Sequence, residues 1–378
     1  MNEVTQPVRA PGMMLSAVAM VAALVALLAL APFASAASDP LASGTTTITL
    51  NKGLNKKLKK AGVKVLKISP AKVNGRKVTL PVSGGSLDPT NGQGVIEHSG
   101  GIKFKHGKKS AAVKALVLDT TTGSLNAKVA GKSMKLASLS GVSVARNGFA
   151  ANVTVSKLKL TGKAAKQLNK KLGFTGKHKK KAPFKGGKVL GSAFCETQPK
   201  TVTVLATGKV ILIPNAETLG KFATKGVNPL TDLHAINGAE VVAGPAFAFP
   251  ISGGSLSPTA SAGTLQTSGG LAIEPAGKLK TEFNNLFADF GTKVVTAEIN
   301  ITPSPPGPGN LGRASIADID MSTGTVTSDP SARTITVTGV TAKLQEVAAT
   351  TLNTVYPGGV DFVAGDSLGT FSFTAQTQ

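Results

Sequence analysis

One stretch of this chain occurs twice, and that repetition limits what the chain can fold into more than any other feature. Leu80-Pro81-Val82-Ser83-Gly84-Gly85-Ser86-Leu87 returns as Phe249-Pro250-Ile251-Ser252-Gly253-Gly254-Ser255-Leu256. The match runs without a gap to Ser99-Gly100-Gly101-Ile102 and Ser268-Gly269-Gly270-Leu271, every pair lying 169 positions apart. Apolar residues face apolar ones and glycines face glycines. A period this long is a duplicated domain rather than a solenoid repeat. The chain of 378 residues has room for two such cores.

Ahead of the duplication, Met13 to Phe33 is almost wholly apolar and is followed by Ala34-Ser35-Ala36. With the weakly positive lead before it, this is the pattern of a secretory signal peptide over residues 1–36, followed by a linker over 37–44. The alternative is retention as an N-terminal anchor, because the run approaches the ~20 residues that span a bilayer. Either way the expected location is secreted or cell-surface, with the membrane reached only through this segment.

The rest reads as two β domains, 45–200 and 201–378. Short runs rich in Val, Ile and Thr alternate with Gly-containing turns, as at Thr45 to Leu50 and Lys77 to Leu80. Each copy carries two helical stretches: Gly53 to Ala61 and Leu160 to Leu172, then Asn215 to Gly226 and Ala342 to Val355. Asn284 to Phe290 fits strand and helix equally well. Pro303-Ser304-Pro305-Pro306 lies in a loop, since Pro at this density forbids ladder bonds. The expected fold is all-β: tandem antiparallel sandwich or barrel-like domains, each with two short helices. Cys195, the only cysteine, aligns with Phe373 and reads as a strand residue, so no intrachain disulfide exists.

The charge is unevenly shared. Residues 1–200 hold 33 of the 42 Lys and Arg but only 6 of the 19 acids. Lys108-Lys109 and the run Lys177, Lys179, Lys180 and Lys181 are the candidate polyanion contacts, directed at anionic cell-envelope polymers. Specific nucleic-acid reading is not expected. The charge is nearly all Lys, without the Arg fork that reads bases, and the first copy has no Tyr or Trp to stack on them. No metal-ligand spacing and no nucleophile elbow is present, and the Gly-Gly-Ser stretches lack the ending of a phosphate loop. They read as sheet corners. The chain is expected to bind rather than catalyse, with no catalytic residue and no structural metal.

The order Leu80-Pro81-Val82, Gly84-Gly85, Gly94-Val95, Gly100-Gly101-Ile102-Lys103-Phe104-Lys105-His106, then Leu116 to Asp119 and Leu125 to Val129, resembles the HtaA-type domain of exported actinobacterial proteins. The resemblance implies a β-rich surface domain in a family some of whose members bind haem through a Tyr and a His. His106 falls near that His, with Lys105 where the family has Gly; the second copy has Pro275 at the matching place. The family's Trp and Tyr are absent from Ile48 to Val65 and from Val210 to Val227. By that resemblance, and although the expected Tyr ligand is missing, haem is the candidate ligand, with His106 and His98 as candidate contacts; a structural or adhesive envelope protein is the alternative.

Overall fold

The structure is a computed structural model that describes residues 38–242, 244–302 and 310–378; for residues 177–179 and 310 it describes the backbone only. The expected signal peptide and nearly all of the Pro-rich loop lie outside the described residues.

The first sheet contains β1 (Asp39–Leu50), β2 (Val63–Ile68), β3 (Lys72–Asn74), β4 (Lys77–Leu87), β5 (Gly94–His98) and β6 (Gly101–His106). It continues with β7 (Lys109–Asp119), β8 (Ser124–Val129), β9 (Lys132–Asn147), β10 (Ala150–Leu160) and β11 (Val189–Pro199). Eight of these close on themselves in the order β7-β5-β4-β1-β11-β10-β9-β8, because β8 also pairs with β7. β6 and β2 extend from β7 as a flap.

The second sheet follows the same plan. It runs through β12 (Val202–Val204), β13 (Lys209–Pro214), β14 (Leu233–Ile236), β15 (Glu240–Val241), β16 (Phe247–Leu256), β17 (Gly263–Thr267) and β18 (Gly270–Ile273). Then come β19 (Lys280–Asp289), β20 (Val294–Thr302), β21 (Asn310–Asp320), β22 (Thr325–Asp329), β23 (Thr334–Leu344) and β24 (Ser367–Gln376). β17-β16-β13-β24-β23-β21-β20-β19 form the matching closed ring. The fold is two closed, eight-stranded antiparallel barrels in tandem, and closure leaves no ring strand with a free edge.

The duplicated glycines sit inside strands rather than at corners. The register of β4 on β5 shifts between Val82 and Gly84, and that of β16 on β17 between Ile251 and Gly253. These are β-bulges, which bend a strand around a barrel. Gly85 follows the shift with φ 108°, and a Cβ there would lie 2.0 Å from the carbonyl oxygen of Val95. At Gly254, φ is 141° and the same atom would lie 2.3 Å from Thr264 O. Only glycine lets the two backbones approach this closely.

Among the described residues four α-helices lie between strands: α1 (Lys52–Lys60), α2 (Gly162–Lys171), α3 (Ala216–Thr224) and α4 (Glu346–Val355). Asn51 Oδ1 accepts from Gly53 N and Leu54 N, and Thr161 Oγ1 accepts from Ala164 N, so both first-copy helices are side-chain capped. α2 starts later than its periodicity suggests because β10 continues to Leu160; α4 starts later because β23 continues to Leu344. The closing strand of the first copy is Val189–Pro199 rather than Phe184 to Phe194. Asn284 to Asp289 is strand, kinked at Asn285 with φ 50°, as Ala115 is in β7 with φ 48°. That kink breaks the alternation. β9, with sixteen residues, was not evident in the sequence because KSMKLASLSGVSVARN never alternates cleanly.

The first barrel holds one continuous apolar core, including Leu80, Leu118, Leu158 and Cys195. The second holds two separate clusters. Cys195 pairs across from Val153 as Phe373 does from Val337, so the expected alignment of the two holds. Burial pushes its thiol up to about 11, which leaves it unreactive.

Candidate functional site

At one end of the first barrel, four segments meet around an open cleft of about 1060 Å³. The end of α1 gives Lys57, Lys60 and Ala61, and the β6–β7 turn gives His106, Lys108 and Lys109. The end of α2 gives Leu172, Gly173 and Phe174, and the segment beyond it Lys180, Lys181, Pro183 and Lys185. Each is placed by a local rule. The β6–β7 hairpin turns through Gly107-Lys108, with Gly107 at φ 54°, a conformation glycine supplies at no steric cost. His106 is thereby the last residue on the inward row of β6, after Ile102 and Phe104.

α2 ends in a Schellman motif. Gly173 takes φ 84°, its N–H donates to Lys170 O at 3.2 Å, and Phe174 N donates to Asn169 O at 2.9 Å. The motif folds Phe174 back under the helix, where its ring stacks on His106 with centroids 4.6 Å apart and planes 22° from parallel. The Leu172 carbonyl oxygen lies 3.0 Å from His106 Nδ1. A carbonyl oxygen only accepts, so Nδ1 carries the proton. In the neutral ring Nε2 then keeps its lone pair, and it makes no hydrogen bond among the described residues. A carbonyl on one ring nitrogen and an open lone pair on the other is the arrangement that orients a metal-ligating imidazole.

The cleft is strongly basic. Seven lysines line it and no acid does. Among the described residues every ion pair lies beyond residue 208, so the described lysine side chains of the first barrel have no acidic partner. Of the expected polyanion contacts, Lys108, Lys109, Lys180 and Lys181 come together here with His106. Lys177 and Lys179 lie on a short 3-10 helix, Gly176–Lys181, and their side chains are outside the described residues. Lys57 and Lys60 belong to the lysine runs Lys56-Lys57 and Lys59-Lys60 that the sequence displays, whereas Phe174 and Lys185 do not stand out in it. The Leu172-Gly173-Phe174 helix ending, a glycine stop followed by an apolar residue, is the signal that points to Phe174.

His98 lies apart from the cleft, inside the barrel. Its Nδ1 donates to Leu116 O at 3.0 Å, and its Nε2 accepts from Thr46 Oγ1 at 2.6 Å. Both nitrogens are spent, and burial holds its pKa below the usual histidine value of 6.5. This makes it a core polar pair without a lone pair for iron. The ring stays neutral in the fold, while the unfolded chain takes up a proton below about pH 6.5. Stability from this group is therefore fully present above that pH and is lost as pH falls towards the folded value. We expect His98→Thr, the residue of the second copy at Thr267, to flatten the melting-temperature difference between pH 7.5 and 5.5. An unchanged difference would locate the titration elsewhere.

The second barrel differs at the matching end. Tyr356, at the C-cap of α4 as Leu172 is of α2, is fully buried. Its hydroxyl lies 3.0 Å from Ile273 O, 3.1 Å from Leu279 O and 3.0 Å from Thr281 Oγ1. Burial pushes the phenol up to about 12, so it is neither exposed nor ionised. The chain's one tyrosine is a core residue.

Residues 219–367 match the model of the HtaA family. Among solved structures, the C-terminal domain of HtaA from Corynebacterium glutamicum is 14% identical, with a TM-score of 0.36 over 47% of this chain and 99% of that one. The N-terminal domain of the same protein is 13% identical, with a TM-score of 0.33 over 46% and 99%. Heme binding protein HtaB from that organism is 14% identical, with a TM-score of 0.31 over 47% and 95%. No curated protein sequence matches the chain at a significant level. The family match falls within the second copy, and the first copy repeats its closed ring of strands.

Proposed function

Taking an HtaA-type domain and its duplicate as the premise, we propose that the protein binds haem in the cleft of the first copy, outside the cytoplasm. One observation carries the reading: His106, held through Nδ1 by the Leu172 carbonyl and with no protein partner on Nε2 among the described residues, lines a cleft walled by Phe174 and ringed by lysines. Haem supplies an iron that takes an imidazole nitrogen, and two propionates that the lysines would neutralise. The donor set fits this group with His106 as its single protein ligand. Heme binding by HtaB supports the reading by analogy. The apolar N-terminal segment with its Ala34-Ser35-Ala36 site supports export to the envelope or beyond. No helix among the described residues is long and apolar enough to cross a membrane.

Hemin titrated into the full chain, followed through the Soret band, should give a saturable shift at one equivalent. A linear, unsaturable change would overturn the reading.

The unpaired lysines favour a second reading, in which the first barrel adheres to an anionic envelope polymer. Retention of this kind collapses with added salt, because exposed charges are screened over ~8–10 Å at physiological ionic strength. An iron–imidazole bond does not. Titrations at low and high salt therefore separate the two readings.

A further inference from the structure

We propose that the interior of the second barrel is a binding site for one small, uncharged, apolar molecule of single-ring aromatic or short-alkane chemistry. Between its two core clusters lies a cavity of about 150 Å³. The first barrel, built on the same ring of strands, fills the corresponding space with side chains.

The strand registers show where the volume went. Leu118 pairs with Ile96 as Ala288 pairs with Leu265, so Leu118 has become Ala288. Leu158 pairs with Gly191 as Ala342 pairs with Gly369, so Leu158 has become Ala342. His98 pairs with Val82 as Thr267 pairs with Ile251, so the buried imidazole has become Thr267. All three smaller residues line the cavity. Phenyl rings wall the same space: Phe249 stands where the first copy has Leu80, Phe283 where it has Val113, and Phe373 where it has Cys195.

The lining selects the chemistry. Thr218 and Thr267 are its only polar residues, and both hydroxyls are committed, to Ser367 O at 2.5 Å and to Leu286 O at 3.3 Å. A water needs two to four polar partners and finds at most the spare lone pairs of two hydroxyls already bonded elsewhere, so the space favours an apolar occupant. A charged head group would be desolvated without compensation. The volume suits a benzene-sized molecule and falls well below the ~300–1,000 Å³ of sites for drug-sized ligands. A porphyrin does not fit, so the site is separate from the basic cleft. Leu212, Ile316 and Leu368 pack against both clusters while remaining partly exposed, which makes them the rim through which a ligand enters.

The test is calorimetric titration of the full chain with benzene, together with melting in benzene-saturated buffer. One equivalent should bind saturably and raise the melting temperature, as any ligand of the folded state does. Ala342→Leu and Ala288→Leu restore the side chains of the first copy from two separate strands of the ring. Each should weaken benzene binding by about tenfold or more while the chain stays folded, because the filled space excludes the ligand. Absence of saturable binding in the parent chain would overturn the proposal. So would benzene affinity unchanged in whichever of the two variants folds.

Discussion

Leu158→Ala should destabilise the first barrel by about 2–5 kcal/mol, the range for emptying a packed leucine site. Leu158 is fully buried in β10, within the single continuous core. The second copy shows what alanine does there: Ala342 borders a cavity instead of filling it. Two terms add, the lost transfer of the leucine side chain and the attractions its neighbours lose. The second barrel tolerates its alanine by enlarging other side chains, Cys195 to Phe373 and Ala193 to Phe371 among them. The single substitution has no such compensation. Urea unfolding monitored through the first barrel should show a lower midpoint with little change in slope. A loss below about 0.5 kcal/mol would mean that the surrounding strands collapse freely onto the site.

His106→Ala should weaken hemin binding by at least about a hundredfold. Losing only an outer partner of a metal ligand commonly costs ~10–100-fold, and here the ligand itself is removed. His106 also covers Phe174, so the variant opens space beside that ring. Free imidazole at millimolar concentration should then restore the Soret position, because it fills that space and returns the missing nitrogen. Rescue by imidazole separates ligation from packing. If the substitution merely loosened the α2 end, imidazole would change nothing, and the thermal midpoint would fall in step with the affinity. Charge reversal at Lys108 and Lys109 should have a smaller effect that fades in salt.

The two features the account rests on differ in how far the sequence reveals them. The tandem β plan is visible because the bulge glycines cannot be replaced: Gly85 and Gly254 meet a neighbouring carbonyl at a distance no Cβ allows. Selection at those backbone sites keeps the repeated stretch alike while side chains around it diverge. The cleft is another matter. Lys57, Lys108 and Lys180 come from three distant segments, and only the packing of the helices and the β6–β7 turn at the barrel end brings them together. No local pattern encodes that meeting. The two histidines look alike in the sequence, because each ends a strand before a Gly-containing turn; only the fold covers His98 and leaves His106 at the cleft. The cavity left no local trace, since Ala288, Ala342 and Thr267 are ordinary strand residues. It emerges only when the two barrels are aligned by register.

The most direct test of His106 ligation is pulsed electron paramagnetic resonance of ferric haem bound to chain carrying nitrogen-15 histidine. Direct ligation predicts a strong coupling from one imidazole nitrogen, present in the parent chain and absent in His106→Ala. A bound haem without such coupling, or with the coupling intact in His106→Ala, would contradict the account.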